Sequence, residues 1–149
     1  MPSLGERMND MAEFTNVALQ TVAAGGNVIF TETPVCAGRG VVHREGSGVV
    51  TLRGCNQGRA LYRVSFGGNV AIPTGGTVGP ISLAISLEGE PLGSATMIVT
   101  PAAVEDLWNV FAAVFVEVPC VCCVTIGVEN TSADPITVQN ANLIVERVA

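Results

Sequence analysis

The segment GRALYRVSFGGNVAI, residues 58–72, alternates between apolar and mainly polar side chains, and this pattern constrains the fold more than any other feature of the sequence. The apolar side chains share one parity: Tyr62, Val64, Phe66, Val70 and Ile72. A period of two indicates a β-strand, because successive side chains point to opposite faces. The segment is therefore predicted to be a strand with one buried face, and that face needs a second layer of structure.

The same alternation recurs in ISLAISLE (81–88) and VCCVTIGVE (121–129). Turn signals rich in Gly, Pro and Asn separate such runs, and no stretch of useful length shows a helical period of 3.6. Short strands at this spacing are typical of an all-β sandwich or barrel built from antiparallel sheets. The predicted core consists of Tyr62, Val64, Phe66, Leu83, Ile85, Val124 and Ile126.

Two strands break the alternation, since LWNVFAAVFVEV (107–118) and ITVQNANLIVERV (136–148) carry apolar side chains on both faces. Such a strand needs two covers, and in a two-sheet sandwich only one of them is the opposite sheet. The second is most simply another copy of the chain, which also accounts for a charged fraction of only 13%. The predicted subunit interface consists of Trp108, Val110, Phe111, Phe115, Leu143 and Val145.

The charge distribution argues against nucleic acid as a partner. The formal net charge is −6, and the seven basic residues are scattered singly, whereas nucleic-acid binding requires clustered Lys and Arg. No apolar run approaches the roughly 18 residues of a membrane helix, so no membrane insertion is expected. The polar N-terminal stretch does not look like a signal peptide, which predicts synthesis in the cytoplasm.

Candidate catalytic and calcium-binding residues are sparse. His43 is the only histidine. A catalytic base needs a nucleophile and an orienting acid. Glu45 and Ser47 are near in sequence, but on a strand end this spacing only places the three side chains on one face. His43 is therefore expected to lie in a surface turn. Glu105 and Asp106 are expected to be solvated loop charges, because calcium requires six or more oxygen ligands. No catalytic residue, metal site or cofactor is predicted.

Five cysteines, an odd number, make a secreted disulfide framework improbable. On a strand, Cys122 and Cys123 would point to opposite faces, which argues against a shared zinc ion with Cys120. Cys122 is expected to be a buried core thiol, and Cys123 to face solvent or a neighbouring subunit. A metal site or an intersubunit disulfide stays as the alternative, with Cys36 and Cys55 in loops that could approach.

Four stretches carry a family resemblance: NVIF (27–30), VTLRG (50–54) continuing into 58–72, LEGEPL (87–92) and the C-terminal NANLIVERVA (140–149). Together they resemble bacterial jelly rolls of the exosporium glycoprotein (BclA) type, in a stalkless form of clostridial or prophage origin. The resemblance covers residues 15–149 and leaves 1–14 as an N-terminal arm. It implies a ten-strand jelly-roll sandwich like that of tumour necrosis factor and complement globular heads, assembled as a compact threefold homotrimer.

The expected function is therefore not enzymatic. The resemblance implies a structural or assembly protein whose homotrimers build a surface layer, a spore coat or a virus-like particle. The alternative is a trimeric head that binds a glycan or a surface receptor through its end loops. The expected partner is the chain itself, and the expected final location is a spore or cell surface or an assembled virion.

Overall fold

The computed structural model of the chain describes residues 11–37, 40–54, 59–119 and 122–149, which form eleven strands and no helix. The strands are β1 (Met11–Asn16), β2 (Gln20–Val22), β3 (Glu32–Ala37), β4 (Val41–His43), β5 (Val50–Arg53), β6 (Ala60–Ala71), β7 (Ile81–Leu87), β8 (Glu90–Val99), β9 (Trp108–Val118), β10 (Cys123–Asn130) and β11 (Ile136–Arg147). Across these residues no helix is long and apolar enough to cross a membrane. The all-β prediction is confirmed, with one strand more than the ten that the resemblance implied.

The strands form two antiparallel sheets packed face to face. The first sheet has the order β3-β1-β11-β6-β9, with β2 also pairing with β11, and the second has the order β4-β5-β10-β7-β8. Neighbours in the first sheet are often distant in sequence, as in the central pairing of β6 with β11. This is the two-sheet jelly-roll sandwich predicted from the sequence.

The long strand β6 sets the register of the first sheet. It pairs with β9 from Ala60 opposite Val118 to Val70 opposite Trp108 without interruption. Its pairing with β11 is interrupted by a bulge between Gln139 and Asn142. Uninterrupted register keeps every second side chain of β6 and β9 on the same face.

The core lies between the two sheets. Tyr62, Val64 and Phe66 of β6 are fully buried, and Phe66 meets Phe30 edge to face with their ring centroids 6.4 Å apart. From the second sheet, Leu83, Ile85 and Ile126 are buried in the same cluster, and Val124 is half-buried against it.

A tight hairpin at LEGEPL joins β7 to β8. Leu87 pairs with Glu90, and the two residues between them, Glu88 and Gly89, have φ values of 53° and 82°. Two consecutive positive φ angles define the turn type that matches the right-handed twist of paired strands.

The boundary expected after residue 14 is wrong. Residues 11–14 belong to β1, which pairs with β11 on one side and β3 on the other. Ala12 and Phe14 lie in the core, while Glu13 between them points outward. Six residues give too short an alternation to stand out among the polar residues that precede them.

Candidate functional site

The strand β9 presents an apolar outer face that no other part of the chain covers among the described residues. Of its even-numbered side chains, Val110, Val116 and Val118 are buried in the sandwich, and Ala112 and Val114 are half-buried. Its odd-numbered side chains point away from the core, leaving Phe111 65% exposed and Phe115 61% exposed. Phe111, Ala113 and Phe115 form what is called here the β9 face.

The residues beside the β9 face have small side chains, so its aromatic rings project above the surface of the sheet. On β6, Gly67 lies opposite Phe111 and Ser65 lies opposite Ala113. A Cβ atom placed on Gly67 would come within 3.8 Å of the Phe111 ring, so the ring lies over the glycine. On β11, Ile144 pairs with Ser65 and its exposed side chain continues the apolar surface.

Paired charges border the β9 face at one end. Arg63 lies opposite Phe115 and its guanidinium is 3.5 Å from the carboxylate of Glu146. Arg59 and Glu117 form a second ion pair at 2.8 Å. Because both pairs are exposed, they contribute little to stability, but each of these two arginines is matched by a glutamate at this end of the face.

Asparagine side chains border the β9 face at its other end. Asn109 of β9 donates to the side-chain oxygen of Asn69 at 3.3 Å, and Asn69 donates to that of Asn140 at 3.2 Å. Asn140 has a φ of 58° and occupies the bulge of β11. The amides thus form a ladder across three strands, so the apolar surface is flanked by polar groups that partner each other.

Trp108, at the start of β9, is 45% exposed and its orientation is held by a loop carboxylate. Its indole Nε1 donates to Oδ2 of Asp106 at 2.8 Å. Glu105 has a φ of 66° and accepts a hydrogen bond from the hydroxyl of Thr74. Glu105 is exposed and Asp106 half-buried in the loop before β9, in keeping with solvated loop charges, and each also accepts one side-chain hydrogen bond.

Comparison with solved structures finds the same architecture in several proteins. The globular domain of zebrafish complement 1qA protein is 10% identical, with a TM-score of 0.67 over 94% of this chain and 98% of that one. Eiger TNF from S. frugiperda is 15% identical, with a TM-score of 0.72 over 96% of this chain and 94% of that one. Murine APRIL is 13% identical, with a TM-score of 0.60 over 93% and 98%. No family model matches the chain, and no curated protein matches it in sequence.

The chain has a tumour necrosis factor/complement 1q-like jelly-roll fold. At these identities the likeness concerns the fold alone. In this chain's own first sheet, β9 is an edge strand.

Three of the residues predicted at the subunit interface belong to the core of this jelly roll. Leu143 and Val145 are fully buried between the sheets, and Val110 is nearly so. The prediction is wrong for these three, because their parity on β9 and β11 is the inward one. Trp108, Phe111 and Phe115 are exposed, as an interface residue must be before assembly.

At the start of β10 the prediction is wrong for Cys122, which is exposed and not a buried core thiol, whereas Cys123 is exposed as expected. Cys122 and Cys123 form a disulfide with each other, and both residues are exposed. Cys36 belongs to β3 and not to a loop. Cys55 and Cys120 lie outside the described residues. In the part of the chain that the structure describes, no three His, Cys, Asp or Glu side chains are grouped as a metal site.

His43 is not in a surface turn but at the end of β4, half-buried against aromatic rings. Its ring centroid is 4.6 Å from that of Phe14 and 6.3 Å from that of Phe30. Its Nε2 lies 2.8 Å from the carbonyl oxygen of Ser47 and, because a carbonyl oxygen only accepts, Nε2 is the donor of this hydrogen bond. The arrangement is that of a packed side chain.

A cleft of about 790 Å³ opens at the end of the jelly roll where the β6–β7 and β10–β11 loops meet. Residues 72–82 form one wall, residues 131–136 form the other, and Ile98 of β8 lies at the rim. The Ser82 and Thr131 hydroxyls are 2.6 Å apart and tie the two walls together. Asp134 is the charged residue of this lining. Sequence reasoning missed the cleft, because its walls come from loops about 50 residues apart.

Proposed function

We propose that this chain is a non-enzymatic structural module that assembles as a homotrimer through the outer face of its first sheet. The observation that carries the proposal is the exposure of Phe111 and Phe115 on the β9 face. Burying a phenylalanine side chain contributes about 1.5–3 kcal/mol, so several rings buried per trimer supply much of an association free energy. Soluble monomers rarely leave such a contiguous apolar surface uncovered.

The surroundings of the β9 face support a partner that is another copy of the chain. The face is flat beside its rings because Gly67 and Ser65 lie next to them, and the arginines at its end, Arg59 and Arg63, are already paired with glutamates. A self-associating surface of this kind needs no complementary charge from a different partner. The resemblance to exosporium-type jelly rolls implies a threefold arrangement, and closed cyclic symmetry covers the same patch on every subunit.

In this proposal the trimer is a building block of a surface layer, a spore coat or a virus-like particle, made in the cytoplasm and displayed on the finished spore, cell or virion surface. The fold similarity to complement 1q and tumour necrosis factor domains supports the shape of the module. The role in a particle rests on the resemblance to the exosporium glycoprotein type.

Light scattering coupled to size exclusion tests the assembly. The wild-type protein is expected to have three times the monomer mass of 15.3 kDa. The double variant Phe111→Asp with Phe115→Asp is expected to run as a folded monomer. The matched control is Val42→Asp, which places the same charge on an exposed apolar side chain of the second sheet and should leave the trimer intact. A wild-type monomer at micromolar concentration would refute the proposal.

Negative-stain imaging of the purified trimer separates the structural roles. Filaments, sheets or closed shells support a building block, and uniformly isolated trimers argue against one. The experiment uses the whole chain and needs no knowledge of a ligand.

The cleft at the loop end supports the second candidate, a trimeric head that binds a glycan or surface receptor. Its volume of about 790 Å³ falls within the range of ordinary ligand sites. A glycan array probed with wild-type protein and with Asp134→Ala tests this role. Binding that Asp134→Ala abolishes while the trimer mass is unchanged would favour the head, and an array without bound glycans would count against glycan recognition.

A further inference from the structure

The adjacent cysteines 122 and 123 form an exposed disulfide on the second sheet, away from the β9 face. The ring that this bond closes contains the peptide bond between the two residues, so neither residue can turn its backbone independently. Cys123 is the first residue of β10 and pairs with Arg53 of β5. The disulfide therefore lies where the register of β5 and β10 begins.

The end of β5 packs directly against this disulfide. The backbone N–H of Gly54 donates to the carbonyl oxygen of Cys122 at 3.1 Å. A Cβ atom at position 54 would lie 3.2 Å from that oxygen and would clash with the carbonyl oxygen of Pro119. Only a glycine fits so close an approach, so a change in the backbone of Cys122 is transmitted to Gly54 without an intervening side chain.

The environment of the bond suits thiol–disulfide exchange. Both cysteines are exposed, so a small thiol can reach the sulfur atoms. Arg53 and Cys123 are opposite each other and both are exposed, so they share the outer face of the second sheet. A guanidinium at that position stabilises the thiolate that leaves when the bond is broken.

We propose that Cys122 and Cys123 are a reversible thiol–disulfide exchange site whose state controls how tightly the end of β5 is held. A thiolate from a small thiol of the glutathione class attacks one sulfur, the S–S bond breaks, and its electron pair leaves on the other cysteine. A second small thiolate then attacks the small-thiol sulfur of the mixed disulfide, and the electron pair of the broken bond leaves on the protein cysteine. The protein dithiol gains the two protons that the small thiols lose, and the small thiols become their own disulfide.

The consequence of reduction is local. Opening the ring frees the backbone at Cys122 and weakens the hydrogen bond from Gly54, whereas the buried part of β10, from Ile126 to Val128, remains in the core. The site works independently of the β9 face, because it lies on the other sheet.

Peptide mapping tests the bond itself. Cleavage after Glu117 and Glu129 releases residues 118–129, which hold Cys120, Cys122 and Cys123. After alkylation of the native protein without reductant, this peptide should carry a single alkyl group or none and lack two hydrogens relative to the dithiol. The disulfide should persist in Cys120→Ser and disappear in Cys123→Ser. Three alkylated cysteines in the native wild-type peptide, or loss of the disulfide in Cys120→Ser, would overturn the assignment.

Amide hydrogen exchange followed by NMR tests the coupling. Incubation in reduced glutathione should raise the exchange rate of the Gly54 amide about two- to tenfold, the effect of weakening one backbone hydrogen bond. Amides in the middle of β6 should not change. Transfer to oxidised glutathione should restore the slow rate. The double variant Cys122→Ser with Cys123→Ser should exchange at the fast rate in either buffer. An unchanged Gly54 rate on reduction would refute the control of β5.

Discussion

Phe66 shows how one side chain stabilises the sandwich. Its ring is fully buried on β6, meets Phe30 edge to face, and lies 3.3 Å from the position that a Cβ on Gly68 would occupy. Arg63, three residues earlier on the opposite face, points to solvent and forms only an exposed ion pair with Glu146. The two residues therefore differ in what their removal leaves behind: a cavity in one case and solvent in the other.

Phe66→Ala is expected to lower the free energy of unfolding by about 3–5 kcal/mol, because it removes a buried ring and leaves a cavity. Arg63→Ala is expected to cost less than about 1 kcal/mol, since exposed ion pairs contribute little. Urea denaturation of both variants measures the difference. Equal denaturation midpoints would mean that the inner and outer faces of β6 have been exchanged.

At the scale of the element, β9 performs two tasks with alternate side chains. Val110, Val116 and Val118 fill the core, while Phe111 and Phe115 face outward. The hydrogen bond between Trp108 and Asp106 then fixes the conformation of the chain as it enters the strand. An edge strand with an apolar outer face is a site for association. The uninterrupted pairing of β9 with β6 keeps both rings on the same face of the sheet.

The single tryptophan allows the entry to β9 to be observed directly. Asp106→Ala removes the acceptor of the indole N–H, so the fluorescence anisotropy of Trp108 should fall as the ring gains freedom. The free energy of unfolding should change by no more than about 1.5 kcal/mol, because one exposed hydrogen bond is lost. Asp134→Ala, which removes a carboxylate from the distant cleft, is the control. Unchanged anisotropy in Asp106→Ala would show that the ring is held by packing alone.

At the scale of the whole molecule, two layers bury one core, and the outer face of the first sheet keeps exposed apolar side chains such as Phe111, Phe115 and Ile144. Leu143 and Ile144 are neighbours in sequence, yet Leu143 is fully buried inside the sandwich while Ile144 is exposed beside the β9 face. The sandwich thus separates side chains that hold one subunit together from side chains that are free to hold subunits to each other.

This separation predicts opposite outcomes for two aspartate substitutions. Leu143→Asp buries a charge in the core and should prevent folding, giving a chain without a cooperative unfolding transition. Phe111→Asp places its charge on an exposed site, so each subunit should remain folded with a normal far-UV spectrum while association weakens. Circular dichroism measures whether each variant is folded, and light scattering measures whether its subunits associate. A folded, dissociated Leu143→Asp would place that residue at the interface after all.

The fold class could be predicted because its signals are local. Alternation in β6 and β7 identifies the strands and their buried parity, and Gly89 supplies one of the two positive φ angles that the turn between β7 and β8 requires. The burial of Tyr62, Val64, Phe66, Leu83 and Ile85 follows from the same periodicity. These features depend on residues two to ten positions apart, so the chain determines them before any long-range pairing is known.

Where both faces of a strand are apolar, periodicity cannot tell which face is buried, and only the tertiary structure shows it. On β9 and β11 both parities are apolar, so only the packing of the sheets shows that Val110, Leu143 and Val145 face inward and that Phe111, Phe115 and Ile144 face outward. For Cys122 the point at which β10 begins was equally important. Cys122 precedes the strand, so the alternation of faces that begins at Cys123 does not apply to it. Alternation specifies that a strand has two faces, but which face meets the core depends on where its pairing partners lie, and here β6 and β11 are about 70 residues apart in sequence.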